Sequence, residues 1–135
     1  MIKLAGLDHL VLRVKDLERM IAFYCEVVGC TLEWRRDDLG LVHLRAGRAL
    51  IDLVPVDGPL GKIGGAAPGT ESHNMDHFCL QVAEFDAAAI EAHLRSKGVA
   101  LGEIKDRYGA AGRGTTIYLQ DPEGNRLELK AAPAA

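Results

Sequence analysis

Apolar and polar residues alternate along Leu7-Asp8-His9-Leu10-Val11-Leu12-Arg13-Val14, and nearly the same series returns at Met75-Asp76-His77-Phe78-Cys79-Leu80-Gln81-Val82. Asp, His, Leu and Val recur at matching places sixty-eight positions apart, about half of the 135-residue chain, which is the mark of a duplication. A period of two predicts a strand with one buried face in each copy. His9, Val11 and Arg13 then point one way, and Leu10, Leu12 and Val14 the other.

The pattern after each of these strands is helical. Leu17, Met20, Ile21, Tyr24, Val27 and Val28 repeat at three-to-four spacing, with Asp16 as N-cap and Gly29 placed to end the helix in a left-handed cap. In the second half a helix is predicted from about Asp86 to Lys97, with Ala88, Ile90, Ala92 and Leu94 among its apolar positions and Gly98 closing it.

Three short strands are expected next in the first half, at about Thr31 to Arg36, Leu41 to Ala46 and Ala49 to Val54. The corresponding stretches of the second half are Val99 to Ile104, Thr115 to Gln120 and Asn125 to Lys130. A small-residue loop from Asp106 to Gly114, expected to be mobile, separates the first two. Asp121-Pro122-Glu123-Gly124 carries the residue types of a turn.

Between the halves, residues 56–74 hold Gly58, Gly61, Gly64, Gly65 and Gly69 with Pro59 and Pro68, and neither period develops. This stretch reads as a linker between module 1, about 5–55, and module 2, about 75–131. The order is strand-helix-strand-strand-strand twice over, an α+β fold.

Composition narrows the function classes. A hydrophobic content of 48% supports a core in one domain spanning 1–135. The net charge of −3, without a run of like charges, offers no field for nucleic acid or anionic lipid. Cys25, Cys30 and Cys79 are odd in number and lack CxxC spacing, which fits reduced thiols in the cytoplasm. No apolar stretch approaches the roughly 20 residues of a membrane helix. A soluble, cytoplasmic protein with a small-molecule partner is expected.

If each helix covers the leucine-rich face of its sheet, the opposite faces carry His9 and Asp52 in one module and His77 and Glu128 in the other. Two imidazoles and one or two carboxylates suit a divalent transition metal such as Zn, Ni, Mn or Fe, with coordination positions left for water and substrate. Asp52 is the weakest member of this set, since its side chain is one methylene shorter than that of Glu128. His43, which shares its strand face with Arg45, is a candidate to line a substrate pocket, as is Tyr118. Arg113, with Arg107 and Tyr108, is a candidate to hold an anionic substrate group. His73 and His93 have no symmetric counterpart and are expected at the surface.

The doubled module, the Leu-Asp-His and Met-Asp-His openings, Gly29 after Phe23-Tyr24, and the ending Asp121-Pro122-Glu123-Gly124-Asn125-Arg126-Leu127-Glu128 resemble the vicinal oxygen chelate superfamily. Within it the chain is most similar to small bacterial glyoxalase I-related proteins, from Leu7 to Lys130. The resemblance implies a half-open eight-stranded barrel built from two modules, paired within one chain or swapped across a homodimer. It also implies His9, His77 and Glu128 as metal ligands, while Asp52 falls where glyoxalase I usually supplies a glutamate.

The activity so implied is that of a metal-dependent lyase or isomerase acting on adjacent oxygens of a small substrate, such as a thiol adduct of a 2-oxoaldehyde, through an enediolate. Glu128 or Asp52 would shuttle the proton. The alternatives are an Fe(II) dioxygenase using two histidines and one carboxylate, a thiol transferase acting on an epoxide, and a binding protein that sequesters a drug or metabolite without catalysis.

Overall fold

Alternation in the sequence becomes two sheets in the computed structural model, which describes residues 1–134. The chain divides into two units at Gly69/Thr70. In the first, strands β1 (His9–Val14), β2 (Thr31–Arg36), β3 (Leu41–Ala46) and β4 (Ala49–Pro55) form one sheet in the order β1-β4-β3-β2. β1 runs parallel to β4, and the other pairs are antiparallel. In the second, β5 (Phe78–Val82), β6 (Lys105–Gly109), β7 (Gly112–Gln120) and β8 (Arg126–Ala131) repeat the scheme in the order β5-β8-β7-β6, with β5 parallel to β8. Two modules of one strand, one helix and three strands make this an α+β fold, as the sequence pattern predicts.

Helix α1 (Leu17–Ala22) starts at Asp16, whose side chain accepts from the Arg19 amide at 3.1 Å. It continues as a π-helical stretch from Phe23 to Val28, and Gly29 ends it at φ 98°. The predicted helix is therefore continuous, but its second half is wider than an α-helix. Met20, Phe23 and Tyr24 are buried, and α1 packs on β4. Leu12, Val14, Val42, Leu44, Ile51 and Leu53 complete this core on one face of the first sheet. Each such burial contributes about 1.5–3 kcal/mol.

Helix α2 (Ala87–Ser96) has its cap where expected, with the Asp86 carboxylate accepting from Ala89 N at 3.1 Å. Of its apolar positions, Ile90 and Leu94 face inward. Ala88 and Ala92 are exposed, while Leu94 is buried and Ala87, Ile90 and Glu91 are half-buried, at helical rather than alternate spacing. Ile117, Leu119, Leu127 and Leu129 form the apolar face of the second sheet.

Two expectations are corrected in this unit. The strand predicted at Val99 to Ile104 is reduced to a single bridge, Leu101 to Leu119. The sixth strand comes instead from the stretch expected to be a mobile loop: Lys105 to Gly109 pairs residue by residue with Gly112 to Thr116 as a hairpin. Gly112, at φ 85°, supplies the left-handed residue of that turn.

The linker is also more ordered than its composition suggests. Gly61–Gly64 forms a 3-10 turn, and the Arg13 guanidinium donates to the carbonyls of Gly61 at 2.9 Å, Ala66 at 3.1 Å and Gly65 at 2.5 Å. These bonds hold the turn against the first unit.

The β7–β8 connection is fixed by one buried carboxylate. Asp121 Oδ1 accepts from the amides of Glu123 at 2.9 Å and Asn125 at 3.0 Å, and Oδ2 accepts from Asn125 Nδ2 at 2.8 Å. Gln120 and Arg126 then face each other across the ladder, and Glu128 falls opposite Tyr118 on β7 and Cys79 on β5. Among the described residues no helix is long and apolar enough to cross a membrane.

Candidate functional site

In each unit the face opposite the leucine-rich one carries the chemistry. Glu128 stands on the central strand β8 of the second sheet and is 6% exposed. His77, one residue before β5, brings its Nε2 to 3.3 Å from Glu128 Oε2. Its other ring nitrogen, Nδ1, lies 2.7 Å from Asp76 Oδ2. The Asp76 carboxylate is held below its usual range by that bond and by Arg126, 3.2 Å away, so it stays charged and fixes the imidazole with Nε2 outward.

Tyr118 completes the group. Its hydroxyl is 3.2 Å from His77 Nε2 and the rings meet edge to face at 5.1 Å. Burial and the Glu128 charge push its phenol above the ordinary value, which keeps it a proton donor. The guanidinium carbons of Arg107 and Arg126 lie 4.7 and 5.1 Å from the Tyr118 ring centroid.

The first unit repeats part of this. His9 Nδ1 lies 2.6 Å from Asp8 Oδ2, and the imidazole pKa is raised mainly by that bond, with Asp52 adding to it. Asp52, 4% exposed and opposite both Val11 and His43, is engaged by His43 Nδ1 at 2.7 Å. His43 stacks on Trp34 at 5.8 Å, and the Arg36 guanidinium carbon lies 4.8 Å from the centroid of a Trp34 ring. Arg45 is bound to Glu33, with contacts of 2.6 and 2.8 Å.

Of the sequence candidates, the structure thus brings together His77, Glu128 and Tyr118 in one unit, and His43 with Asp52 in the other. His9 stands on the same sheet face as His43 and Asp52. Arg113 is not brought to this face. It alternates with Gly112 and Gly114, is exposed at the hairpin, and binds Asp106 at 2.5 Å. His73 and His93 are at the surface, as expected.

Sequence reading missed the partners of the histidines. The signal was present, since Asp8 and Asp76 directly precede them in both copies. The Trp34–His43 stack left no such trace, because it depends on cross-strand register at the β2 bulge.

A divalent ion is implied by the resemblance, and the donor chemistry fits one. His77 presents Nε2 beside a buried carboxylate while a second carboxylate holds Nδ1, the arrangement that orients imidazole ligands. His9 is held in the same manner by Asp8. Within neither unit do three His, Cys, Asp or Glu donors gather among the described residues. The best donor pair is therefore His77 with Glu128.

Cys79 is opposite Glu128 and exposed as a residue, but partial desolvation of its thiol together with that carboxylate pushes the thiol up to about 11. At pH 8 it should carry about a hundredfold less thiolate than an ordinary cysteine. Alkylation kinetics followed by mass spectrometry should show Cys79 reacting slowly at pH 8 and steadily faster toward pH 11. A rapid reaction at pH 7 would contradict the geometry.

The profile of the Glyoxalase/Bleomycin resistance protein/Dioxygenase superfamily matches residues 6–129. The glutathione transferase FosA of Serratia marcescens is 29% identical over 132 residues, covering 98% of this chain and 84% of that protein. Mouse mitochondrial methylmalonyl-CoA epimerase is 26% identical, covering 96% of this chain and 75% of that protein. An integron cassette protein from Vibrio cholerae superposes with a TM-score of 0.75 at 25% identity, covering 98% and 99% of the two chains. With nearly its whole length matched, this chain belongs to the Glyoxalase/Bleomycin resistance protein/Dioxygenase superfamily.

Proposed function

We propose that the protein is a divalent-metal-dependent enzyme of the lyase or isomerase type, moving a proton on a small substrate that carries adjacent oxygens. The observation that carries this reading is the His77 Nε2–Glu128 Oε2 approach of 3.3 Å, with Asp76 holding the far side of the ring. In the second unit His77 and Glu128 would be donors to an ion; in the first, His9, held by Asp8, is the candidate donor. When bound, the ion would supply Lewis-acid stabilisation of negative charge on a substrate oxygen.

The remaining chemistry belongs to side chains. Glu128 is a buried base within reach of the reacting end, suited to take a proton from carbon and return it. Tyr118, kept protonated, donates to the oxyanion that forms. Asp52 is held by His43 Nδ1, so in the first unit His43 Nε2 would be an atom able to accept a proton. The likeness to an epimerase supports this reading, because inverting a carbon centre requires a bond at carbon to be broken and remade.

A second reading, addition of a thiol to an epoxide, is favoured by the engagement of Asp52 with His43, which takes that carboxylate out of the candidate ligand set, and by the likeness to FosA.

The test is metal content by mass spectrometry on untagged protein never exposed to chelator, alongside His77→Ala. Near-stoichiometric nickel, zinc or manganese that is lost in the variant is expected. Turnover of a methylglyoxal–thiol adduct then supports proton transfer, whereas consumption of thiol with an epoxide supports the second reading. Iron with oxygen uptake on catechols would instead point to a dioxygenase. No metal after reloading would overturn the metal-dependent reading and favour a binding protein.

A further inference from the structure

Strand β2 changes register once, and the change re-aims one side chain. Leu32 pairs with Leu44, but Trp34, two residues on, pairs with His43, so Glu33 is the extra residue of a β-bulge. In an unbroken antiparallel ladder Glu33 would oppose His43, and Trp34 would oppose Val42, which is buried on the apolar face. The bulge carries Trp34 to the opposite side of the sheet, beside His43 and Asp52. There it is 55% exposed, so it adds little to any core, and what it gains is contact with His43.

The Trp34 and His43 rings lie 5.8 Å apart at their centroids and are inclined by 24°. The indole is held in turn. Arg36, two residues further along β2, sets its guanidinium carbon 4.8 Å from a Trp34 ring centroid, and Asp38 grips that guanidinium at 3.0 and 3.1 Å. His43 is tied to the buried Asp52 carboxylate through Nδ1 alone, at 2.7 Å. One bond at one ring atom leaves an imidazole free to tilt, and a second ring against its face removes that freedom.

The second unit uses the same device with other residues. Tyr118 on β7 opposes Glu128 on β8 as His43 on β3 opposes Asp52 on β4, and Arg107 and Arg126 stand against the Tyr118 ring. Each half of the duplication thus pairs a buried carboxylate with an aromatic ring and then packs that ring.

We propose that Trp34 is a positioning residue for His43: stacked on the imidazole, it keeps Nδ1 on Asp52 and leaves Nε2 for proton transfer with the substrate. The inference deepens the proposed function, and it rests on that reading only for the part His43 plays in proton transfer. A stack of this kind biases a ring toward one orientation by roughly two- to tenfold.

Nuclear magnetic resonance of metal-free protein tests the positioning without turnover. At about pH 8.5 an ordinary imidazole is neutral. The His43 ring protons, assigned by their absence in His43→Gln, are expected upfield of those of the exposed His73 and His93, with the ring in a single form protonated at Nδ1. In Trp34→Ala the upfield shift should vanish and the two neutral forms should mix, whereas Trp34→Phe should keep both signatures. Trp34→Leu fills similar space without a π face and takes the place of the alanine variant if that does not fold.

In the metal-loaded enzyme Trp34→Ala should lower kcat about three- to tenfold with KM and bound metal little changed, and Trp34→Phe should recover most of the loss. A His43 spectrum indifferent to loss of the indole overturns the proposal. So does an unchanged kcat, or a rise in KM alone, which would make Trp34 a substrate contact. The expected spectra from a protein that turns over nothing would uphold the positioning and count against the proton-transfer reading instead.

Discussion

Replacing Glu128 with glutamine is expected to lower kcat by about 10²–10⁴-fold, with a smaller effect on KM, in whichever assay the metal-loaded enzyme turns over. The amide matches the carboxylate in size, so the strand packing between Cys79 and Tyr118 survives. What changes is chemical. The amide cannot take a proton, and it faces His77 Nε2 without the charge that suits a cation. Circular dichroism should be unchanged, and bound metal should fall in parallel. Full turnover by the variant would remove Glu128 from the mechanism. His77→Gln, tested beside it, should lose metal with the carboxylate still in place.

The second large effect concerns the linker. A Cβ at Gly61 would stand 1.7 Å from the Pro55 carbonyl oxygen and 2.5 Å from its carbon, both backbone atoms of the strand that carries Asp52. Neither can give way without moving β4 or expelling the turn. Gly61→Ala should therefore destabilise the protein by about 3 kcal/mol, at the upper end of ordinary overpacking costs. Gly64→Ala is the control from the same turn. Its Cβ would first meet the Arg13 side chain, 2.5 Å from Nε, the mobile end of a long side chain. The arginine can swing out and lose its carbonyl partners, at a cost of about 1 kcal/mol. Urea unfolding of the two variants checks the difference, and equal midpoints would show that the turn is not held against β4.

Much of this arrangement is legible in the chain. The duplicated Asp-His strand openings place both histidines, and the alternation of Leu127 and Leu129 with Glu128 places the acid, because period two is a strong signal when one face is apolar. The small-residue segment at 106–114 misleads for a physical reason. Gly109 and Gly114 look like loop residues, yet they are in a regular ladder and are small because Lys130 lies over them. A glycine chosen to admit a neighbour's side chain cannot be told from a flexible one without knowing that neighbour.

Ala88 and Ala92 are apolar positions of α2 that lie exposed. Alanine is at home on either side of a helix, so only Leu94 marks the inner stripe reliably. The pairing of His43 with Asp52 lay nine residues apart across a hairpin, visible only once the register of β3 against β4 is known.

The carboxylate of Asp121 has a consequence beyond its own turn. By gathering the amides of Glu123 and Asn125 it counts out the residues between the last position of β7 and the first of β8. An insertion or deletion of one residue there would exchange the two sides of β8, turning Glu128 and Lys130 toward the apolar core and presenting Leu127 and Leu129 in their place. The tolerance of this protein to changes in length is therefore uneven. The hairpin at Ala110-Ala111 lies outside that count, whereas the short run from Asp121 to Arg126 works as a ruler for every charged group that follows it.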